Sequence, residues 1–296
     1  MKYIIAIDIG GTKFKSGIFS QSLKQIASSE KDKIRHYKDK DAVINAILDQ
    51  VNNLILESNI NRQEIIGVGI GSPGPLDSKK GIILNTPNLT IFQNYKIAND
   101  FTKKLKIDTF IENDANLFSL GEWHSKYREN NITMGVTLGT GLGFGLIING
   151  KLFIGGHGMA MEYGLSPFEW GICEKNVSIR FIRKRAAELY GKEISPVIIE
   201  EYYKDNDKKA IQIYNEYGHN LGIVLSHVIN MIDPQVISLG GGLSNAFPCF
   251  KDAMFSIIEK NAPSFNLNHT IIAQSKLKEN STMIGACLMV KSRKNS

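Results

Sequence analysis

Three short glycine turns, each directly behind an apolar run, are the first residues of this 296-residue chain whose types and spacing could do chemistry. They are Asp8-Ile9-Gly10-Gly11-Thr12-Lys13, Gly139-Thr140-Gly141-Leu142-Gly143 and Leu239-Gly240-Gly241-Gly242-Leu243. Without a Cβ in the way, backbone N–H groups can approach a ligand closely, and several converging on one point hold a phosphate. A Gly-Gly pair alone is usually only a hairpin turn. Three such turns, each closing a strand, shift the reading toward a bound nucleotide. The third, ahead of a helix, would seat adenine and ribose. Neither the G-x-x-x-x-G-K loop followed by Ser or Thr nor the G-x-G-x-x-G fingerprint with its acidic partner occurs, so the P-loop and Rossmann schemes do not apply.

Two carboxylates stand at comparable junctions. Asp8 closes the first strand beside its turn. There it can hold a Mg²⁺, through water, against the β- and γ-phosphates, or cap the turn by accepting backbone N–H bonds. Asn113-Asp114-Ala115-Asn116 opens a helix directly after the short strand Thr109–Glu112. Aspartate is favoured at a helix N-terminus for its acceptor oxygens and its charge. At an exposed strand-to-helix junction the same carboxylate can take the proton of a hydroxyl during phosphoryl transfer.

The elements that must position these residues read as an α/β pattern. Tyr3–Asp8 and Phe14–Phe19 flank the first turn as a hairpin, and a third strand fits Gln25–Glu30. Val43, Ile44, Ile47, Leu48, Val51, Leu54 and Ile55 recur at helical spacing across Asp41–Glu57. Ile65–Gly71 is a continuous apolar strand running into Ser72-Pro73-Gly74, and Asp114–Trp123 is the helix behind Thr109–Glu112. The hairpin returns as Ile132–Leu138 and Gly143–Ile148, so the two halves of the chain share one strand–turn–strand unit. Helices are expected at Val177–Leu189, Pro196–Tyr203, Lys208–Met231 and Ser244–Asn261, the last capped by Ser244. Strands are expected at Gln235–Leu239 and Ile271–Ala273, and a closing helix at Thr282–Lys291. Residues 1–112 with 282–296 should form a small α/β lobe and residues 113–281 a large one.

Composition narrows the function classes. Hydrophobic content of 43% and charged content of 22% are ordinary globular values, and the length fits about two domains. The longest apolar runs have strand length, too short to cross a bilayer. Met1-Lys2 leads straight into a strand with no apolar leader, and a cytoplasmic protein is expected. Cys173, Cys249 and Cys287 are odd in number and far apart. They read as buried thiols in a reducing compartment, not as a disulfide framework. The net charge of +6 invites a nucleic-acid partner, but the lysines are dispersed. Arg180, Arg183, Lys184 and Arg185 read as a solvated helix face, and Lys291–Lys294 as a frayed terminus. Neither nucleic acid nor a membrane is expected as a partner.

Taken in order, Asp8–Lys13, Ser72-Pro73-Gly74, Asn85-Thr86-Pro87-Asn88-Leu89, Glu112-Asn113-Asp114-Ala115-Asn116, Leu138–Gly145 and Leu239–Leu243 resemble the motif set of the ROK family (repressors, open-reading-frame proteins and sugar kinases) over nearly the whole chain. The resemblance implies an actin-like, ribonuclease-H-related ATPase fold of class α/β, with two lobes around a central cleft. It implies ATP-dependent phosphorylation of a hexose or hexose derivative, with Asp114 as general base. Gly74, Asn88, Asn113, Asp114, Glu162 and Glu174 would contact the sugar. Asp8, Gly10, Gly11, Thr12, Lys13, Gly139, Thr140, Gly141, Gly143, Gly241 and Gly242 would face the nucleotide, and Asp8 its Mg²⁺. A homodimer is also implied. ATP and polyphosphate both fit as phosphoryl donor.

Gly155–Leu165 is similar to the family's segment G-x-x-G-x-A-G-E-x-G-H, with two departures. Met161 replaces a glycine, and Leu165 replaces a histidine that in the family touches the sugar and ligates a structural zinc. The cysteine cluster that completes that site is reduced to Cys173. Even with His157, four nitrogen or sulfur ligands cannot be gathered from this stretch, so no zinc is expected. Pro167, Phe168 and Trp170 would fill the space by apolar packing. A non-catalytic sugar-binding or regulatory protein of the same family is the alternative reading. With a hairpin that begins at residue 3, the winged helix-turn-helix of the family's repressors is not expected. Asp8, Asp114, Glu162 and Glu174 all persist, which favours the kinase.

Overall fold

The computed structural model describes residues 1–169, 171–277 and 280–295. Packing divides the chain into two compact units: Met1–Ser125 with Leu152–Ala160 and Glu279–Ser296, and Lys126–Lys151 with Met161–Lys278.

In the first unit β1 (Tyr3–Ile9) and β2 (Lys13–Ser20) form the expected hairpin, extended by β3 (Gln25–Ser28) and β4 (Asp32–Lys33). β1 also pairs in parallel with β5 (Ile65–Ser72), and β5 with β8 (Thr109–Asn113). The small ribbon of β6 (Leu76–Asp77) and β7 (Ile82–Ile83) stands apart from that sheet. The helices of this unit are α1 (Lys40–Glu57), α2 (Ile97–Leu105), α3 (Asp114–Lys126) and the C-terminal α10 (Asn280–Lys294). Strand β1 is apolar from Ile4 to Ile7 because both its faces are covered there. Ile5, Ile7 and Ile9 pack in one core with the α1 and α2 side chains, while Ile4 and Ala6 pack in another with Leu117 of α3 and Met283, Ala286 and Val290 of α10. Asp39 caps α1 by accepting the Ala42 N–H at 2.9 Å, and the buried face of α1 is the stripe read from the sequence.

Helix α3 goes with the first unit, so the division falls after Ser125 instead of after residue 112. The reason is backbone contact with α10: a Cβ on Gly121 would lie 2.0 Å from Ser281 O, and one on Gly285 1.9 Å from Leu117 O. The Ser281 hydroxyl donates to the Glu122 carboxylate, and both residues are buried. α10 continues to Lys294 and is not frayed. Lys291 Nζ donates to Gln21 O at 3.1 Å and Lys294 pairs with Asp108, while the opposite face is held in the core. Helix α2 was not foreseen. Ile97, Phe101 and Leu105, four residues apart, carried the signal, and Lys106 ends it in the left-handed region at φ 57°.

The second unit repeats the hairpin as β9 (Ile132–Leu138) and β10 (Leu142–Ile148), and β11 (Lys151–Leu152) folds back beside β10. β9 pairs in parallel with β12 (Val236–Gly240), and β12 with β13 (Ile271–Gln274). The arrangement of β9, β10 and β12 is thus that of β1, β2 and β5. Around this sheet stand α4 (Cys173–Asn176), α5 (Ile179–Tyr190), α6 (Pro196–Lys204), α7 (Lys208–Ile232), α8 (Phe247–Asn261) and α9 (Pro263–Asn266). Ser244 does not cap α8. It lies in a 3₁₀ turn, Gly242–Ala246, where its hydroxyl donates to Gly241 O at 2.7 Å. The α-helix starts at Phe247 with Pro248 in its first turn, a position that loses no hydrogen bond. The basic face of α5 is only partly solvated: Arg183 and Lys184 are exposed, whereas Arg185 donates to both oxygens of Glu216, at 2.6 and 2.9 Å. Among the described residues no helix is long and apolar enough to cross a membrane.

Candidate active site

The C-terminal ends of β1, β5 and β8 lie in register. Asp8 is opposite Gly71, Gly71 opposite Glu112, and Ser72 opposite Asn113. With strands about 4.8 Å apart, the first glycine turn, the Ser72-Pro73-Gly74 segment and Asn113-Asp114 share one edge of the sheet. That edge, beyond the carboxyl ends of parallel strands, is where open α/β sheets bind ligands.

The first turn is closed by the Gly10 N–H, which donates to Lys13 O at 2.8 Å, and is tied outward by the Ile34 N–H on Thr12 O at 3.0 Å. Thr12 and Lys13 are exposed, and Asp8, Gly10 and Gly11 are half-buried. A Cβ on Gly11 would lie 2.7 Å from the backbone oxygen of Asn88, so only glycine lets the two segments meet. The Asn88 loop is itself fixed. Thr86 is fully buried and its hydroxyl donates to Pro75 O at 3.1 Å, while Leu89 is buried and its N–H donates to Thr86 O at 3.2 Å. A residue expected at the sugar and a turn expected at the phosphates are therefore in contact within one unit.

At the start of α3 the capping role falls to Asn113. Its Oδ1 accepts the N–H groups of Ala115 at 2.9 Å and Asn116 at 3.3 Å. Asp114 is the first helical residue, and its Oδ1 accepts the Ala115 N–H at 2.8 Å. Behind them stands a scaffold the motif reading did not single out. The buried Glu112 accepts the Asn113 N–H at 2.9 Å and the side-chain amide of Asn116 at 3.1 Å, and Asn116 is buried too. Asp114 is half-buried and keeps some solvent access. Dense protein around its carboxyl strips hydration and raises its pKa to about 6, against the lowering effect of the backbone N–H groups it accepts. It is thus a stronger base than an ordinary carboxylate, yet still largely ionised at neutral pH.

In the second unit the Gly139 N–H donates to Gly141 O at 3.0 Å, and Thr140 is exposed at the tip. Gly143 lies in β10, opposite Thr137. Gly241, at φ 81°, and Gly242 follow β12, whose Gly240 is also in register with Thr137, so these two turns lie at one end of the second sheet. Glu162 is half-buried just before a 3₁₀ turn, Tyr163–Leu165, and Leu165 is half exposed. The Tyr163 ring packs edge-on to Phe144, and its hydroxyl lies 2.9 Å from His227 Nδ1. Glu174 faces the β9–β10 turn: its Oε2 accepts the Leu142 N–H at 3.2 Å. Phe168 packs in the core as expected, but Pro167 does not. It is exposed, in an isolated bridge with Ile172 at the edge of the loop. Trp170 lies outside the described residues. His157 is exposed and Cys173 is buried in the second core. Among the described residues no group of three or more His, Cys, Asp or Glu side chains is placed to hold a metal ion.

The sequence model of the ROK family matches residues 4–293. Relatives include a glucokinase from Thermotoga maritima, 28% identical with 98% of each chain covered. Another is an N-acetyl-D-glucosamine kinase from Pectobacterium atrosepticum, 29% identical over 87% of this chain and 88% of the relative. Among solved structures, a ROK family glucokinase from Streptomyces griseus, in complex with glucose and AMPPNP, matches at a TM-score of 0.83 and 22% identity, over 98% of this chain and 99% of that one. The fold is the actin-like ATPase fold expected from the motifs.

Proposed function

Because the chain belongs to the ROK family, we propose that it is a sugar kinase transferring the γ-phosphoryl group of ATP to a hydroxyl of a hexose or hexose derivative, the substrate class named for both relatives. The observation that carries the reading is the shared strand edge of the first unit. It brings a carboxyl with a pKa of about 6 to the same end of the sheet as a glycine turn that touches the Asn88 loop, with the end of β5 between them.

In this reading Asp114 accepts the proton of the attacking hydroxyl as that oxygen bonds to the γ-phosphorus. The bond from phosphorus to the bridging oxygen breaks, and ADP leaves. Gly74, Asn88, Asn113 and, in the second unit, Glu162 and Glu174 are assigned to the sugar hydroxyls. Glu112 and Asn116 hold the Asn113–Asp114 junction in place from behind. Gly10, Gly11, Thr12 and Lys13 are assigned to the phosphates, as are Gly139, Thr140, Gly141 and Gly143. Gly241 and Gly242 are assigned to the nucleoside. A single carboxylate beside a phosphate turn is a donor set that suits Mg²⁺, which keeps several waters and takes the rest of its ligands from phosphate oxygens, so Asp8 would hold it. When bound, the ion offsets charge on the phosphate oxygens. A homodimer in the cytoplasm is the proposed setting, and three buried cysteines without a disulfide suit a reducing compartment.

The test is ADP release by the purified protein against a panel of hexoses, N-acetylhexosamines and β-glucosides, with ATP and polyphosphate compared as donors. Sugar-dependent ADP release is expected, and Asp114→Asn should lose about two to four decades of turnover while still binding the sugar. No phosphorylation of any panel member by the wild-type protein would defeat the proposal.

A further inference from the structure

The 3₁₀ turn Tyr163–Leu165 has three faces, because side chains three positions apart on such a turn stand over one another. Two of the faces are taken up by the second unit. The Tyr163 ring packs edge-on to Phe144 of β10, and its hydroxyl lies 2.9 Å from Nδ1 of His227 on α7. Gly164 is buried with its backbone against β10, where a Cβ on it would lie 2.3 Å from Leu142 O. The third face carries Glu162, which opens the turn, and Leu165, which closes it. The Leu165 N–H donates to Glu162 O at 3.0 Å, so these two side chains share that face. Glu162 is half-buried, whereas Leu165 is 50% exposed and Pro167, two residues on, is exposed as well. Met161, at φ 70°, packs against the second core, which leaves Leu165 as the apolar side chain this turn holds outside it.

We propose that Leu165 is a specificity-determining residue that lies along the substrate beside Glu162 and selects a hexose carrying an alkyl or aryl aglycone where the free sugar has a hydroxyl. The proposal rests on the reading of Glu162 as a sugar ligand. The same turn sits on the donor side of the reaction: Gly164 presses on Leu142, which ends the Gly139–Leu142 turn assigned to the phosphates. A sugar held by Glu162 is therefore next to the group it receives. A leucine offers that sugar no hydrogen bond. A free hydroxyl set against it loses water and gains no partner, whereas an alkyl or aryl group there removes apolar surface from water on both sides. Exposed apolar surface continues along the chain from Leu165 to Pro167, more than the single methyl of an acetamido group covers. An aglycone projects outward from the ring and covers it.

The test compares sugars on one protein, so general damage to the fold cancels. For glucose, mannose and galactose, kcat/KM is measured by ADP release for the free sugar, its methyl and phenyl α- and β-glycosides and its 2-acetamido form. Wild type, Leu165→Ala and Leu165→Asn are compared. In the preferred series a phenyl glycoside should exceed the free sugar by about tenfold to a hundredfold, with the methyl glycoside between them. Both variants should lower that ratio by about tenfold or more. A ratio that either variant leaves unchanged overturns the proposal, and so does a wild type that prefers the free sugar or its acetamido form. If the wild type phosphorylates no sugar, the kinase reading fails. Calorimetric titration of the phenyl glycoside and the free sugar, read as the same ratio in Kd, then decides the role of Leu165 by itself, and binding of neither overturns it.

Discussion

Acidification should stop the reaction through Asp114 while leaving the fold intact. The carboxyl titrates near 6, well above its ordinary value of 3.8, because lost hydration outweighs the N–H bonds it receives. A rate that needs the ionised base follows its ionised share, about nine-tenths at pH 7 and about one-tenth at pH 5. Therefore kcat/KM should fall about tenfold over that interval. A carboxyl at the ordinary value would lose less than about a tenth of its ionised share across the same range. The assay is sugar-dependent ADP release by the wild type divided by that of Asp114→Asn at the same pH, so that titration of the nucleotide phosphates, which both share, cancels. The stability effect has the opposite sign. With the native pKa above the unfolded one, the folded state holds the extra proton between 3.8 and about 6, so this group adds stability as the pH falls through that window and costs stability above it. Loss of activity toward pH 5 should therefore occur without a lower melting temperature from this site. Asp114→Asn should melt no lower than wild type at pH 8. A flat activity ratio from pH 7 to pH 5, or an Asp114→Asn protein with wild-type turnover, would refute the reasoning.

Three further outcomes follow from close contacts and ligand counts. Gly11→Ala places a Cβ 2.7 Å from Asn88 O, so the turn and the Asn88 loop must separate. Stability should drop by about 1–3 kcal/mol, and steady-state kinetics should show both the ATP and the sugar KM raised, whereas a change in one alone would count against their contact. Gly285→Ala sets a Cβ 1.9 Å from Leu117 O between two helices that cannot yield locally, and urea denaturation should register a loss of about 3 kcal/mol or more. Metal analysis of the purified protein should find far less than one zinc per chain, because Leu165 and the lone Cys173 leave a tetrahedral site incomplete. A stoichiometric zinc would contradict that expectation.

Where the sequence reading departed from the structure, the departure has a local cause. Ser244 is a sound capping residue by type, but Pro248 sets the start of α8 three residues later than expected, and the serine hydroxyl turns back to Gly241. Asp114 is likewise a good capping residue by type, yet Asn113 wins the cap because it stands one position earlier, with its side chain toward the N–H groups of Ala115 and Asn116. That exchange leaves Asp114 in the helix itself, with its carboxyl at the strand edge. The Lys291–Lys294 cluster looked loose from charge alone, and the apolar face of α10 beneath it, Met283, Ala286, Cys287 and Val290, is what keeps it ordered.

The sequence by itself determined the elements whose signals are short in range. The apolar run of β1, the four-residue recurrence along α1, the two hairpins and the glycines at the strand ends depend on neighbours a few positions away, and the same is true of the order of motifs that marks the family. Only the tertiary structure decided which distant groups share an environment. It set Asn88 on Gly11, joined α3 to α10 through Gly121 and Gly285, and turned the Glu174 carboxylate to Leu142. It also made Asp114 a better base. Basicity there comes from hydration lost to atoms far away along the chain, and no local pattern of residues records how much water a folded neighbourhood excludes.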